Sequence, residues 1–189
     1  MTLPTHKLMI GLVALMDLTR VHHFGDAFSL PDASLAVFFL AGLLNRRMTI
    51  FAALLLEAGL LDYVAISQFG VSDACISPAY VFLIPTYAVM WFVGRECGTV
   101  NDFHAKELLT TLGLAGLATS AAFMISNMSY YGFSGRSAEV TLMQYVQDMM
   151  QYLPMYMSAA LLYILCGLAV IKIVSLWPVL DAKQHSVGK

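Results

Sequence analysis

The residue with the greatest chemical potential is a cysteine that lies just before a predicted helix start. Cys75 stands two positions before Ser77 and Pro78, a pair that predicts a helix with serine as the N-cap and proline at the first helical position. A thiol there faces the positive end of the helix dipole. This favours the thiolate form that binds metals and attacks electrophiles, although Asp73 opposes the shift. The alternative is that Cys75 is a small apolar side chain in a loop.

Other polar side chains are predicted to reach the same end of the molecule as Cys75. They come from separate segments of the chain and comprise His22, His23, Asp62, Tyr80 and, in a polar and aromatic loop over 126–136, Tyr130 and Tyr131. Each also has a purely structural interpretation. The histidines and tyrosines suit the boundary between membrane and water, and Asp62 suits a helix end, where it would bond a loop amide.

A thiol and imidazoles together suit a soft or borderline metal. A bare ion would need several ligands at fixed spacing, and the sequence has neither a CxxC nor an HxxxH motif. One thiolate fits better if the metal arrives inside a macrocycle that fills four equatorial positions and leaves the protein a single axial one. A membrane enzyme is also open, with Cys75 as nucleophile, His23 as base and Asp62 orienting that base.

The elements that carry these residues belong to an integral membrane protein. Of the 189 residues, 59% are hydrophobic and 12% are charged, whereas about 25% of the residues of a soluble domain are charged. A net charge of −2 gives no reason to expect nucleic-acid binding. Cys97 and Cys166 are expected to be structural. We expect residues 1–189 to form one all-α domain whose first apolar run is a retained span, not a signal peptide.

The apolar runs predict six transmembrane helices. Their ranges are 7–20 or 7–24, 32–44, 48–66, 77–93, 107–125 and 155–177. An amphipathic helix over 137–153 is expected to lie along the membrane interface and to be ended by Pro154. Pro85 is expected to kink the fourth span.

Two carboxylates fall inside the predicted spans, namely Asp17 and Glu57. Charged groups are costly within a bilayer, so both are functional candidates by default. Arg20 follows Asp17 by three positions, which places the two side chains on one helix face as natural partners. The carboxylates can equally satisfy polar neighbours between helices.

Lysine and arginine in short loops predict the orientation of the chain. The basic turn at Arg46 and Arg47 marks the cytoplasmic side, and an even number of spans then places both termini in the cytoplasm. Asp62 lies fifteen residues after Arg47, which is about 23 Å along an α-helix and near the far boundary of a core about 30 Å thick. The candidate residues are therefore expected at the outer face of the cytoplasmic membrane.

With these residues in place, the chain resembles the substrate-binding S components of energy-coupling-factor (ECF) vitamin transporters. The resemblance covers the whole chain by layout, with six short spans in an S-component-like bundle and an outward-facing site. Within that group, His23, Asp62, Cys75 and Tyr80, together with the run SDACISPAY, resemble the BtuM family, which binds cobalamin.

The resemblance implies a multi-pass protein that binds and takes up cobalamin. It implies that Cys75 is an axial ligand of cobalt and that His23, Asp62 and Tyr80 line or support the site. A thiolate on cobalt could also remove the cyano ligand of cyanocobalamin. The Ala-xxx-Ala pattern common in span one of S components that share an ECF module is absent from MIGLVALMDL, which fits a solitary S component. Another vitamin or a haem-like macrocycle as cargo, and a purely structural membrane subunit, remain alternatives.

Overall fold

The computed structural model describes residues 4–21, 30–69, 77–97 and 105–187, so that His22, His23 and Cys75 lie outside the described residues. Within those ranges all regular structure is helical and no strand occurs, which confirms the all-α prediction for this part of the chain. The α-helices are α1 (Thr5–Val21), α2 (Ser34–Leu44), α3 (Met48–Phe69), α4 (Leu83–Glu96), α5 (Ala105–Phe133), α6 (Leu142–Met150) and α7 (Leu153–Val187). Short 3-10 helices occupy Pro78–Phe82 and Arg136–Ala138.

Three of the described helices are long and apolar enough to cross a membrane. They contain the stretches Met48–Gln68, Ala105–Phe133 and Leu153–Leu176. Helix α1 has 17 residues and the strongly apolar α2 has 11, both fewer than the roughly 20 that a straight crossing needs. The chain therefore has membrane-spanning character, while the expectation of six spans with both termini in the cytoplasm stays a prediction.

Helix α5 extends further than the sequence predicted. The stretch expected to be a polar loop over 126–136 is helical as far as Phe133, so Tyr130 and Tyr131 lie on the last turns of α5 and not in a loop. The reason is that small polar side chains in this stretch bond to carbonyls of their own helix. Asn127 Nδ2 donates to the Phe123 carbonyl at 2.9 Å. Polar side chains that bond to their own helix in this way need no hydrogen-bond partner on another helix.

The start of the fourth predicted span is partly as expected. Ser77 is an N-cap, since its hydroxyl accepts the Ala79 N–H at 3.3 Å, and Pro78 stands at the first helical position. The helix that begins there is a five-residue 3-10 helix, and α4 begins only at Leu83. Pro85 therefore lies in the first turn of α4, just after the change from 3-10 helix to α-helix, where proline is tolerated. The kink expected at Pro85 stays a prediction.

The predicted interfacial helix is present but shorter than 137–153. Helix α6 begins after Thr141, whose hydroxyl accepts the Gln144 N–H while the Gln144 side chain accepts the Thr141 N–H. This reciprocal capping box sets the start of the helix. Contrary to the expectation, Pro154 does not end this helix: α6 ends at Met150, and Pro154 is the second residue of α7, where proline is tolerated.

The apolar core is built around α2, which is buried along nearly its whole length. Its backbone crosses that of α4 at two glycines. A Cβ on Gly42 would clash with the backbone of Trp91, and a Cβ on Gly94 would clash with the backbone of Phe39. Above this crossing the rings of Phe38 and Tyr87 stack with centroids 4.3 Å apart. Glycine is therefore required at both contacts, because any side chain would push the two helices apart.

Contacts at the two ends of α2 and α4 define two ends of the molecule. At one end Ser34 and Tyr87 both bond to Arg20 of α1. At the opposite end Arg46, just after α2, pairs with Glu96 at the end of α4 at 3.1 Å. The turn after α2 and the end of α4 thus share one end of the bundle, in agreement with the prediction that both face the same side.

We predict that Gly94→Ala will destabilise the fold while Gly113→Ala will not. The first substitution forces a methyl group into the Phe39 backbone, and such overpacking costs about 1–3 kcal/mol or more. The second places a methyl group in open space on α5 and gains about 1 kcal/mol of helix propensity. The measurement is the unfolding temperature of each variant in the same detergent. Equal shifts for the two variants would show that α2 and α4 do not cross closely.

Candidate functional site

A buried arginine organises the polar end of the bundle. Arg20 lies in the last turn of α1 and is 7% exposed. Its Nε donates to Asp62 Oδ1 and its Nη2 to Asp62 Oδ2, both at 2.6 Å. This is the bidentate geometry in which guanidinium and carboxylate bind most strongly. The ion pair joins α1 to α3 across 42 positions of sequence.

The remaining guanidinium nitrogen joins two further helices. Arg20 Nη1 donates to the Ser34 hydroxyl on α2 and to the Tyr87 hydroxyl on α4, each at 2.8 Å. The guanidinium carbon also lies 5.9 Å from the centre of the Tyr87 ring, a distance at which the ring's electron-rich face attracts a cation. A single side chain therefore connects α1, α2, α3 and α4.

Asp62 accepts a third hydrogen bond from a residue that the sequence also singled out. The Tyr80 hydroxyl donates to Asp62 Oδ2 at 2.7 Å, across 18 positions of sequence. Tyr80 lies in the 3-10 helix that precedes α4. The structure thus brings together Asp62 and Tyr80, two of the predicted site residues, although it does so around Arg20.

A second carboxylate borders the guanidinium on its more exposed side. Asp32 Oδ2 lies 3.6 Å from Arg20 Nη1, and the Asp32 side chain is 31% exposed. Asp32 Oδ1 accepts from both the hydroxyl and the N–H of Ser34, at 2.6 and 2.9 Å, at the start of α2. Two carboxylates therefore lie near one cation, and the more exposed of the two is Asp32.

We call this group the arginine cluster. Its members are Arg20, Asp32, Ser34, Asp62, Tyr80 and Tyr87. Each side-chain nitrogen of Arg20 donates to an oxygen of the cluster, so the buried cation is hydrogen-bonded, as a buried charge must be.

The predicted pairing of Arg20 with Asp17 is wrong. Arg20 binds Asp62 because this carboxylate, on a facing helix, accepts hydrogen bonds from two guanidinium nitrogens at once. Asp17 instead lies close to the Glu57 side chain of α3. Glu57 Oε1 is buried and has no hydrogen-bond partner among the described residues.

The segments that carry His22, His23 and Cys75 lie outside the described residues, so the structure does not test these three predicted site residues. The described chain stops at Val21, one residue after Arg20, and resumes at Ser77, three residues before Tyr80. Arg20 and Tyr80 bind the same carboxylate, that of Asp62. The dipole effect expected at Cys75 stays a prediction.

Tyr130 and Tyr131 belong to a different contact. The Tyr131 hydroxyl donates to the Val140 carbonyl at 3.2 Å, and its ring lies 4.9 Å from that of Tyr145 on α6. Tyr145 in turn donates to the Asn127 carbonyl, and burial, with the nearby Tyr130 phenol, raises the pKa of Tyr145. The role of these tyrosines in the described structure is to hold α6 against α5. Within the described chain neither Tyr130 nor Tyr131 is hydrogen-bonded to Asp62 or Tyr80.

Residues 4–21, 30–69, 77–97 and 105–187 contain no group of three or more His, Cys, Asp and Glu side chains arranged to hold a metal ion. Cys97 and Cys166 are both free thiols. The metal chemistry considered for the chain therefore depends on Cys75, which the structure does not describe.

An apolar groove of about 500 Å³ lies between α3 and α4, directly below the arginine cluster. Its only polar lining residues are Tyr80 and Tyr87, and the remainder are alanine, glycine, leucine, isoleucine and valine. Gly59 of α3 leaves room there, since a Cβ on it would meet only the Tyr80 hydroxyl, at 3.9 Å. The groove can accept an apolar group, but it offers nothing that would bind a charged one.

Sequence reasoning missed Ser34 and Tyr87 and gave Arg20 the wrong partner. The sequence did contain a signal for Arg20, because a cation at the end of an apolar run needs a hydrogen-bond acceptor within the protein. Nothing in the spacing of Ser34 and Tyr87 indicated that they would face it. Comparisons with protein-family models and with curated protein sequences found no match for this chain. The resemblance to S components therefore stays a prediction from the residues themselves.

We predict that Asp62→Asn will destabilise the protein far more than Glu96→Gln. The first change leaves a buried guanidinium without its carboxylate, and breaking a buried pair costs about 3–5 kcal/mol. The second removes the partner of Arg46 from an ion pair whose side chains are 62% and 68% exposed, where about 0–1 kcal/mol is expected. Denaturation of both variants in matched detergent measures the difference. Similar losses would contradict a buried ion pair at Arg20.

Proposed function

We propose that this chain is the substrate-binding component of an ECF-type vitamin transporter and that it binds cobalamin at the outer face of the cytoplasmic membrane for uptake. The observation that carries the proposal is the Tyr80–Asp62 hydrogen bond of 2.7 Å. Both residues were predicted from the sequence to reach the same end of the molecule, and both belong to the resemblance to the BtuM family. Their contact across 18 positions, within one polar cluster, is what a shared role at a binding site requires.

In this proposal cobalt is cargo and Cys75 supplies its axial ligand. The corrin ring fills the four equatorial positions, so one sulfur suffices and no further protein ligands are needed. His23, which follows Arg20 by three positions, is the nearest candidate to support the corrinoid beside Cys75.

Loss of cyanide from cyanocobalamin would be a ligand exchange. The Cys75 thiolate donates an electron pair to cobalt and forms the Co–S bond. The Co–C bond to cyanide breaks, and cyanide leaves with the bonding pair, so that cobalt keeps its oxidation state. The requirement is a deprotonated thiol, which makes the exchange faster at higher pH.

The proposed topology has six spans, with the arginine cluster outside and the Arg46–Glu96 pair inside. The separation of these two features to opposite ends of α2 and α4 supports it. The missing Ala-xxx-Ala pattern in α1 leads us to propose a solitary S component, with an ECF module as an optional partner.

A cysteine-nucleophile enzyme has less support than a binding protein. That alternative needs Asp62 to orient a histidine base, whereas Asp62 is already engaged by Arg20 and Tyr80. A different macrocycle as cargo uses the same residues, and mass spectrometry of the co-purified ligand separates it from cobalamin.

We predict that the protein purified with cobalamin will show a visible spectrum altered by sulfur ligation, and that Cys75→Ala will lose this change. Cys97→Ala is the matched control, because Cys97 lies at the end of α4 beside Glu96, away from the arginine cluster. Absorbance spectra and equilibrium dialysis of the three proteins make the test. A Cys75→Ala variant with the parent's affinity and spectrum would refute cobalt ligation by this residue.

We also predict that Cys75 is reachable from outside the cell and Cys97 is not. Two variants isolate the thiols: Cys97→Ala with Cys166→Ala keeps Cys75, and Cys75→Ala with Cys166→Ala keeps Cys97. A membrane-impermeant maleimide applied to intact spheroplasts should label the first variant, and should label the second only after permeabilisation. The reverse pattern would invert the proposed topology.

A further inference from the structure

The apolar groove between α3 and α4 has a buried floor and an exposed rim. Ala58 and Tyr87 form the floor, where they are only 3% and 4% exposed. The rim side chains are exposed and all apolar, namely Leu56, Leu60, Val81 and Ile84. The groove is therefore a recess in the outer surface of the bundle. One of its walls is α3, a helix long and apolar enough to cross a membrane.

The groove is long and narrow. Five of the residues that α3 contributes share one helix face over about 12 Å, namely Ala52, Leu55, Leu56, Gly59 and Leu60. A volume of about 500 Å³ spread over that length leaves a cross-section of about 40 Å². This is well below the cross-section of an α-helix, whose diameter with side chains is about 10–12 Å. The groove therefore suits a thin, extended apolar group that lies along α3, and not a packed helix.

Neither water nor empty space suits this groove. Its only polar groups are the hydroxyls of Tyr80 and Tyr87, which already have partners in Asp62 and Arg20. An ordered water molecule needs about 2–4 polar partners, which an aliphatic lining does not supply. An empty groove would leave the lining atoms without packing contacts on one side. Hydrocarbon meets both conditions, and lipid supplies it to any helix that crosses a membrane.

We infer that the groove is a binding site for one acyl chain of a membrane phospholipid, in the leaflet that meets the arginine cluster. An acyl chain in that leaflet extends from the membrane surface toward the bilayer centre, which is the direction from Leu60, beside the cluster, to Ala52. The chain packs against α3, α4 and the 3-10 helix that carries Tyr80. The headgroup stays outside, because the lining offers no charged side chain. The inference rests on α3 crossing a membrane and is independent of the proposed cargo.

Gly59 keeps the groove open without being required for helix packing. A Cβ on Gly59 would meet only the Tyr80 hydroxyl, at 3.9 Å, whereas a Cβ on Gly42 or Gly94 would clash with a neighbouring backbone. A leucine at position 59 can therefore extend into the groove and take the place of the acyl chain. Gly113 of α5 offers a matched control, because a Cβ there meets nothing within 4 Å and α5 is also long and apolar enough to cross a membrane.

A photoactivatable lipid tests the site on the full chain without cobalamin. The protein is placed in phosphatidylcholine vesicles that contain a small fraction of phosphatidylcholine with a diazirine on one acyl chain, and cross-linked residues are mapped by mass spectrometry. We expect cross-links to concentrate on 52–60 and 80–87, above the level on the exposed surface of α5 around Leu117. Gly59→Leu should lower the cross-linking of the groove to the α5 level, and Gly113→Leu should keep the parent's pattern.

A second measurement keeps the inference testable where one variant folds poorly. Unfolding temperatures are measured in detergent with and without added phosphatidylcholine. The lipid should raise the unfolding temperature of the parent and of Gly113→Leu. It should raise that of Gly59→Leu much less, because the new leucine already fills the groove. Ala52→Leu fills the other end of the same groove and should lose the response in the same way.

Three results would overturn the inference. Equal cross-linking of the groove and of the α5 surface in the parent would show lipid contact without a binding site. A lipid response that persists in both Gly59→Leu and Ala52→Leu would place the stabilising lipid elsewhere. A dimer detected by light scattering that these two variants separate would make a second copy of the chain the occupant of the groove.

Discussion

The buried ion pair between Arg20 and Asp62 is the interaction on which the polar end of this protein depends. A guanidinium removed from water is tolerated only when its charge and its donors are matched. Here the match needs an acceptor from each of α2, α3 and α4, so the four helices can assemble in few other ways. The cost of burying one cation thus becomes a constraint on the relative placement of four helices. Through Asp62 it also fixes the Tyr80 hydroxyl.

Below this cluster the constraint is steric. Helices α2 and α4 touch backbone to backbone at Gly42 and Gly94, and the stacked rings of Phe38 and Tyr87 lie between the crossing and Arg20. Tyr87 belongs to both layers, since its ring packs in the apolar core and its hydroxyl accepts from the cation. A close apolar crossing and a satisfied polar cluster therefore support each other.

Particular residues show what the sequence could and could not reveal. Composition and the length of the apolar runs predicted a helical membrane protein, and the Ser77-Pro78 signal marked a real helix start because capping is a local interaction. Asp62 and Tyr80 were selected together, and they do meet. Pairing between residues distant in sequence could not be predicted. Arg20 was assigned to Asp17, three positions away, whereas its partner Asp62 lies 42 positions away and is brought to it only by the fold. The stretch predicted to be a loop around Tyr130 and Tyr131 is helical, because its polar side chains hydrogen-bond to carbonyls of their own helix.

The proposal that the Cys75 thiolate is an axial ligand of cobalt is tested most directly by X-ray absorption spectroscopy at the cobalt K-edge, on the protein loaded with cobalamin. The expected spectrum contains one sulfur scatterer in the first coordination shell of cobalt, in addition to the four corrin nitrogens. A loaded protein whose cobalt has only nitrogen and oxygen neighbours, or a protein that retains no cobalt, would contradict it.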